Sequence, residues 1–308
     1  MPLNRQKRGQ SIVYRANDLD IDGQFQSKEE WPVRVRESKE RWENKGQSIL
    51  KRHCRRRFGS AYREEEIRLE KLNRTYEAHP LKALDGTHWG SVFRGFNEGR
   101  LDRGGRLYGD WQQLKEIDRL KLTIDGEPVV EIDVVASFLF IVSAKDGRPV
   151  VSTDPYTDIP WVKDHRKRDL AKRLVSAIIS KDGPLTKFPV GLRNDFSIPK
   201  KDKLADYTGT ILATYHQLDP PAVSGMYAMF LESEAIIGAI EALIAKGFVS
   251  YPVHDCLLVA EKHKDVAIEE IWRQMDDRFG AKPWLKVSYG AGCEEFYDPI
   301  SGIKASAI

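Results

Sequence analysis

Residues 251–263 read YPVHDCLLVAEKH. Two short apolar runs, FVSYPV (248–253) and CLLVAE (256–261), are separated by two residues only, the spacing of a tight β-hairpin. Such a turn ordinarily uses Gly, Asn or Pro; here it carries His254 and Asp255. An ionisable pair at a hairpin tip is a candidate functional group, the plainer alternative being a turn histidine satisfied by its neighbours.

Working outward, residues 225–246 (GMYAMFLESEAIIGAIEALIAK) predict a long helix with Met226, Met229, Phe230, Ile236, Ile237, Ile240, Leu243 and Ile244 as its core stripe. Gly247 supplies the stop, and Glu232 and Glu234 are expected to face solvent. After the hairpin come a helix, KDVAIEEIWRQMDDRFG, and a last strand, WLKVSYG. The order is helix, hairpin, helix, strand.

A second hairpin lies in RLKLTIDGEPVVEIDVVASFLFIVSAKDG (119–147), where Asp125-Gly126 is a strong two-residue turn signal. Its second strand ends at Asp133, ahead of an apolar stretch that predicts a buried helix starting near Ala136. A carboxylate at such a junction is costly to bury without a partner or a metal, unless it caps the helix. Between the two hairpins, DHRKRDLAKRLVSAIIS (164–180) predicts a basic helix with Arg168 and Lys172 on one face.

The rest of the chain is basic towards its start. Residues 1–80 hold 19 Lys/Arg and 13 Asp/Glu, a balance of +6, which leaves −3 for the remainder of a chain with net charge +3. The densest cluster, LKRHCRRRFGSAYR (50–63), places Arg55 and Arg56 where they suit a phosphate backbone or simply a solvated helix face. From Glu29 to about Asn73 two or three amphipathic helices are expected, and the glycine-rich 79–110 segment, with Arg100, Arg103 and Arg106, reads as loop. With 308 residues, a mean hydropathy of −0.49, no apolar run of membrane length and no secretory signal, a cytoplasmic protein is expected. Cys54, Cys256 and Cys293 lack paired spacing and read as incidental thiols.

Two aspartates at hairpin-derived strand ends with a basic helix between them suit phosphoryl transfer, in which carboxylates hold a pair of Mg²⁺ ions about 3.5–4 Å apart and cationic side chains brace the phosphates. In order and context the chain resembles the right-handed palm polymerases of family A. VVEIDVVASFLFIV looks like the strand-aspartate-helix motif, Arg168-Asp169-Leu170-Ala171-Lys172 fits the fingers pattern Arg-x-x-x-Lys, and Val253-His254-Asp255 fits the Val-His-Asp of the palm hairpin. RGGRLYGDWQQLKEIDR (103–119) is similar to the segment lying along the primer-template, and its RGGRLY also resembles phage-type single-subunit RNA polymerases. The resemblance covers about residues 95–298.

The resemblance implies an α+β fold: a right-hand palm of antiparallel sheet with helical fingers (residues 81–308), and a helical, thumb-like, template-binding N-terminal region (residues 1–80). It implies a minimal DNA polymerase that extends a nucleic-acid 3′ end with dNTPs, in replication or repair, using two Mg²⁺ or Mn²⁺ ions. Asp133 and Asp255 would be the catalytic metal ligands, joined by the carbonyl of Val134. Arg168 and Lys172 would hold the triphosphate, and Arg106, Tyr108, Gln112 and His254 the primer-template; Arg55 and Arg56, outside the resemblance, are expected as nucleic-acid contacts from their charge cluster alone. Phe138, five residues after Asp133, would stand against the ribose 2′ position and favour deoxynucleotides, or else belong to the core. A monomer and no membrane partner are expected.

The chain departs from the family where Ser176 replaces a base-stacking aromatic and Cys256 replaces a carboxylate. The sequence ahead of the palm is too short for an exonuclease beside a full thumb. An RNA- or primer-synthesising polymerase, a metal-dependent nuclease and an inactive nucleic-acid-binding relative remain alternatives.

Overall fold

The computed structural model describes residues 31–38, 47–150, 152–181, 183–302 and 304–305. The expected helical start at Glu29 and its Trp42 lie outside these residues. In chain order the first elements are β1 (Val33–Arg36), β2 (Ser48–Ile49), α1 (Lys51–Ala78), β3 (Leu81–Lys82), β4 (His88–Trp89), β5 (Phe93–Phe96) and β6 (Gly104–Tyr108). Next are α2 (Glu116–Arg119), β7 (Thr123–Ile124), β8 (Glu127–Val134), α3 (Ser137–Lys145), α4 (His165–Ser180), α5 (Leu192–Asp195) and α6 (Leu204–Thr214). The chain continues through α7 (Gly225–Ala245), β9 (Ser250–Val253), β10 (Cys256–Ala260), α8 (Lys264–Phe279), β11 (Leu285–Ser288), β12 (Glu294–Tyr297) and β13 (Lys304–Ala305). The protein is a mixed α and β fold with largely antiparallel sheets.

Strand β8 is the axis of the larger sheet. It pairs antiparallel with β10 on one edge, Asp133 facing Cys256, and with β11 on the other, Asp133 facing Lys286. Alternation then sorts the side chains. Val130, Ile132, Val134, Leu257, Val259, Leu285 and Val287 share one buried face, the apolar surface on which α3, α7 and α8 assemble. Glu131, Asp133, Cys256 and Lys286 share the other. Both expected hairpins are present. Asp125 and Gly126 have φ of 53° and 84°, the two positive values of a type I′ turn.

The N-terminal expectations need correcting. Residues 33–36 form a strand, because Val33-Arg34-Val35-Arg36 alternates with period two and buries both valines completely. One long helix, α1, follows, broken at Gly59, whose φ of 57° leaves the helical region. The 79–110 segment is no loop either: β5 and β6 form a hairpin, and β1 lies parallel to β5, with Val33 opposite Arg94. Gly95 is required there, since a Cβ would stand 2.8 Å from the Tyr108 ring.

Polar and aromatic ties join this smaller sheet and α1 to the rest. Arg94 is wholly buried between Glu65 of α1 and Glu234 of α7. Arg68 of α1 grips Glu241 of α7, and Tyr76 stacks on Tyr251 at 4.3 Å.

Candidate active site

The site is assembled by register. Because Cys256 pairs with Asp133, the preceding residue, Asp255, lies at the hairpin tip beside the end of β8. Ligand atoms of Asp133, Asp255 and Cys256 all lie within 4.8 Å of one another. His254, the first turn residue, has φ of 58°, a conformation that glycine adopts without strain. Val135 donates its N–H to Trp284 on the β11 side. The alternation of a strand therefore turns the Val134 carbonyl to the opposite side, towards β10 and the turn.

Burial pushes the Asp133 carboxyl up to about 7, and the neighbouring charge of Asp255 pushes in the same direction; the Cys256 thiol, Lys286 and Lys172 pull against them. The Cys256 Sγ donates to Asp133 Oδ1 at 3.2 Å, and burial, with Asp133 next, holds this thiol well above its usual range. It therefore stays protonated. Two mutually repelling carboxylates and a backbone carbonyl are hard oxygen donors that fit Mg²⁺ or Mn²⁺, whereas zinc would favour a thiolate. Cys256 is thus more than an incidental thiol: its hydrogen orients Asp133.

Behind Asp255 lies a buried ion pair. Arg106 of β6 donates through Nε to Glu232 Oε2 at 2.8 Å and through Nη2 to the same oxygen, while the Ser137 hydroxyl donates to Oε1. Glu232 is fully buried, contrary to its expected solvent-facing position. Burial raises its carboxyl to about 7; Arg106 and Ser137 oppose the rise, and Asp255 adds to it. The 3.6-residue repeat carried the signal, for 232, 236, 239 and 243 all fall on the buried stripe of α7. The Arg106 guanidinium also lies over the half-buried Phe138 ring, 5.4 Å from its centroid. Arg106, expected to touch nucleic acid, is committed to protein partners.

The other expected residues divide in the same way. Gln112 donates from Nε2 to the carbonyls of Leu107 (3.0 Å) and Pro252 (2.9 Å), tying β6 to β9. Tyr108 stacks on Phe93 and meets the exposed His254 edge-on at 6.5 Å. Crowding by protein atoms, then Arg106, lowers the His254 pKa. On α4, capped by Asp164, Arg168 pairs with Asp154 at 2.5 Å and lies over the Tyr156 ring. Lys172 is exposed, close enough for its charge to act on Asp133. Tyr156, absent from the sequence expectations, feels both Asp255 and Asp133, although burial is the main cause of its raised pKa. Arg55 is closed in a two-pronged pair with Glu66, and Arg56 is exposed.

No protein-family model matches the chain, and no curated protein matches it. Among solved structures 84 chains match. One is the POL domain of Pol1 from M. smegmatis in complex with DNA primer-template and dNTP, with a TM-score of 0.36 and 14% identity over 77% of this chain. This chain spans about half, 52%, of that chain's length. An overlap that loose fixes neither the arrangement of parts nor the chemistry. Among the described residues no helix is long and apolar enough to cross a membrane.

Proposed function

We propose that the chain is a nucleotidyltransferase, joining a nucleoside triphosphate to the 3′ end of a nucleic-acid strand. In particular, it is a minimal template-directed DNA polymerase, with the sheet around β8 as palm, α4 and the helices after it as fingers, and residues 1–80 as the thumb-like part. The observation that carries this reading is the convergence of Asp133 and Asp255 from separate hairpins, within reach of the Lys172 charge. A nuclease has less use for the Arg168/Lys172 face of α4.

The two aspartates and the Val134 carbonyl would hold Mg²⁺ or Mn²⁺, which when bound activates the 3′ hydroxyl and neutralises phosphate charge. The 3′ hydroxyl gives up its proton to solvent and its oxygen forms a bond to the α-phosphorus as the bond from that phosphorus to the oxygen bridging to the β-phosphate breaks, and pyrophosphate leaves. Lys172 and Arg168 bind the triphosphate. Arg168 exchanges one anionic partner, Asp154, for another, each charge-assisted contact being worth about 1.5–3 kcal/mol. His254, at the tip of the turn, contacts the primer terminus.

Phe138 sits in the first turn of α3, braced by Arg106. Its ring would exclude a 2′-hydroxyl, which favours dNTPs over NTPs. Phe138→Ala is therefore expected to raise ribonucleotide incorporation; an unchanged dNTP/NTP ratio in primer extension removes this selectivity. The central test is extension of a labelled primer-template by wild type, Asp133→Asn and Asp255→Asn. Each substitution should reduce extension by on the order of 10³-fold with binding retained. Wild-type protein that binds primer-template and adds nothing with Mg²⁺ or Mn²⁺ would leave a binding protein, not an enzyme.

A further inference from the structure

Residues 186–204, between α4 and α6, fold around α5 and frame a concave pocket of about 750 Å³. Its lining holds five cationic side chains, Lys187, Arg193, Lys200, Lys201 and Lys203, and one carboxylate, Asp202. That carboxylate already accepts a hydrogen bond from the Tyr207 hydroxyl at 2.7 Å. The acids nearby are engaged too: Asp195 with Arg173 at 2.9 Å, and Asp206 with the backbone N–H of Lys203. Arg193 is fixed over the Phe188 ring by bonds to the Pro199 and Asp202 carbonyls, both 2.7 Å. Among the described residues none of the four lysines has an ion-pair partner, and all four are exposed where they line the pocket, open to an anion that enters it.

Apolar surface stands beside that charge. Phe188 is only partly buried, and Val190 is wholly exposed. Cations with an adjacent aromatic match the phosphates and bases of an unpaired strand, whose bases stack without sequence preference. A cavity of this volume admits a ligand of small-molecule size, not a duplex.

The segment that frames the pocket is tied to α4. Arg166 donates to the Ser197 hydroxyl at 2.9 Å and Arg173 holds Asp195, and these two arginines, seven residues apart, share one face of α4. Arg168 and Lys172 occupy the other face. One helix thus separates the two regions, about 10 Å across.

We propose that this pocket is a second nucleic-acid site that holds a single-stranded segment, with phosphates on Lys187, Lys200, Lys201 and Lys203 and a base against Phe188. Its identification as the unpaired part of a template rests on the polymerase reading; binding itself does not.

The test measures fluorescence anisotropy of a labelled oligothymidine and of a blunt duplex at several salt concentrations, using the full chain carrying Asp133→Asn and Asp255→Asn. Adding Lys187→Glu, Lys200→Glu and Lys201→Glu should weaken single-strand binding at least about tenfold and lower its log-log salt slope by about 2, at roughly 0.7 per phosphate contact. Blunt-duplex affinity should change less than about twofold by the same logic. Phe188→Ala in the otherwise unchanged chain should weaken the single strand without altering the slope, and it serves where the charge reversals perturb folding. Unchanged single-strand affinity and slope, equal loss on duplex, or a poly-glutamate peptide that binds through the same lysines while the oligonucleotide does not, would each overturn the proposal. Failure here in a protein that extends primers leaves the polymerase reading intact, and intact binding in a protein that extends none does the reverse.

Discussion

Asp133 holds its proton until about pH 7, whereas the unfolded side chain loses it near 3.8. The folded state is therefore the better proton binder between those values. The stability this group contributes is complete below about pH 4 and disappears as pH rises through 7. A divalent cation can take the proton's place, so Mg²⁺ should raise the melting temperature more at pH 8 than at pH 5. Asp133→Asn should flatten both the pH dependence and the Mg²⁺ effect. A Mg²⁺ shift of equal size at both pH values, unaltered by the substitution, would count against this carboxylate as a cation ligand. The sequence singled out Asp133 and Asp255 because each stands at the end of a legible hairpin. It concealed Cys256 and Lys286, whose relation to Asp133 exists only through cross-strand register.

Elements governed by local chemistry were readable: the Asp125-Gly126 turn, the capped helices α4 and α7, and α8 with Gly280 in the left-handed conformation. Strands β5 and β6 were not, because their glycines weaken strand propensity and the parallel partner of β5 lies some sixty residues away. The β9–β10 hairpin carries a strained residue at its tip. His254 at φ 58° costs on the order of 1 kcal/mol relative to glycine. His254→Gly should unfold at the same or a higher denaturant concentration while raising KM for primer-template. If stability rises and primer binding is untouched, the histidine has no role at the primer end. Helix α7 is anchored to β6 and α3 through Glu232. Glu232→Ala leaves the Arg106 guanidinium as an unmatched buried charge and should cost about 3–5 kcal/mol, whereas Arg106→Met with Glu232→Leu should cost less than either Arg106→Met or Glu232→Leu alone. Denaturation of Glu232→Ala, of the two single changes and of the double variant decides it.

Across the whole molecule, the sequence divides at residue 80 by charge, yet contacts cross that point in several places. The β1–β5 pairing, the Tyr76 stack on Tyr251 and the bond from the Tyr76 hydroxyl to the Ser250 carbonyl at 3.0 Å all join residues before 80 to the sheet and hairpin that follow. Removing residues 1–80 would take Glu65 from the fully buried Arg94, uncover one edge of β5, and strip Tyr251 just two residues before Val253 and the His254-Asp255 turn. A buried charge that loses a partner costs several kcal/mol, a large share of the 5–15 kcal/mol by which a domain is stable, and an uncovered strand edge invites aggregation. A chain of residues 81–308 is therefore expected to be insoluble or to unfold without cooperativity. Co-expression of residues 1–80 as a separate chain should recover soluble protein, because the lost contacts are noncovalent. If residues 81–308 alone give a monomer with a sharp thermal transition and retain primer extension, then α1 and β1 act on the nucleic acid and not on the scaffold that aligns Asp133 with Asp255.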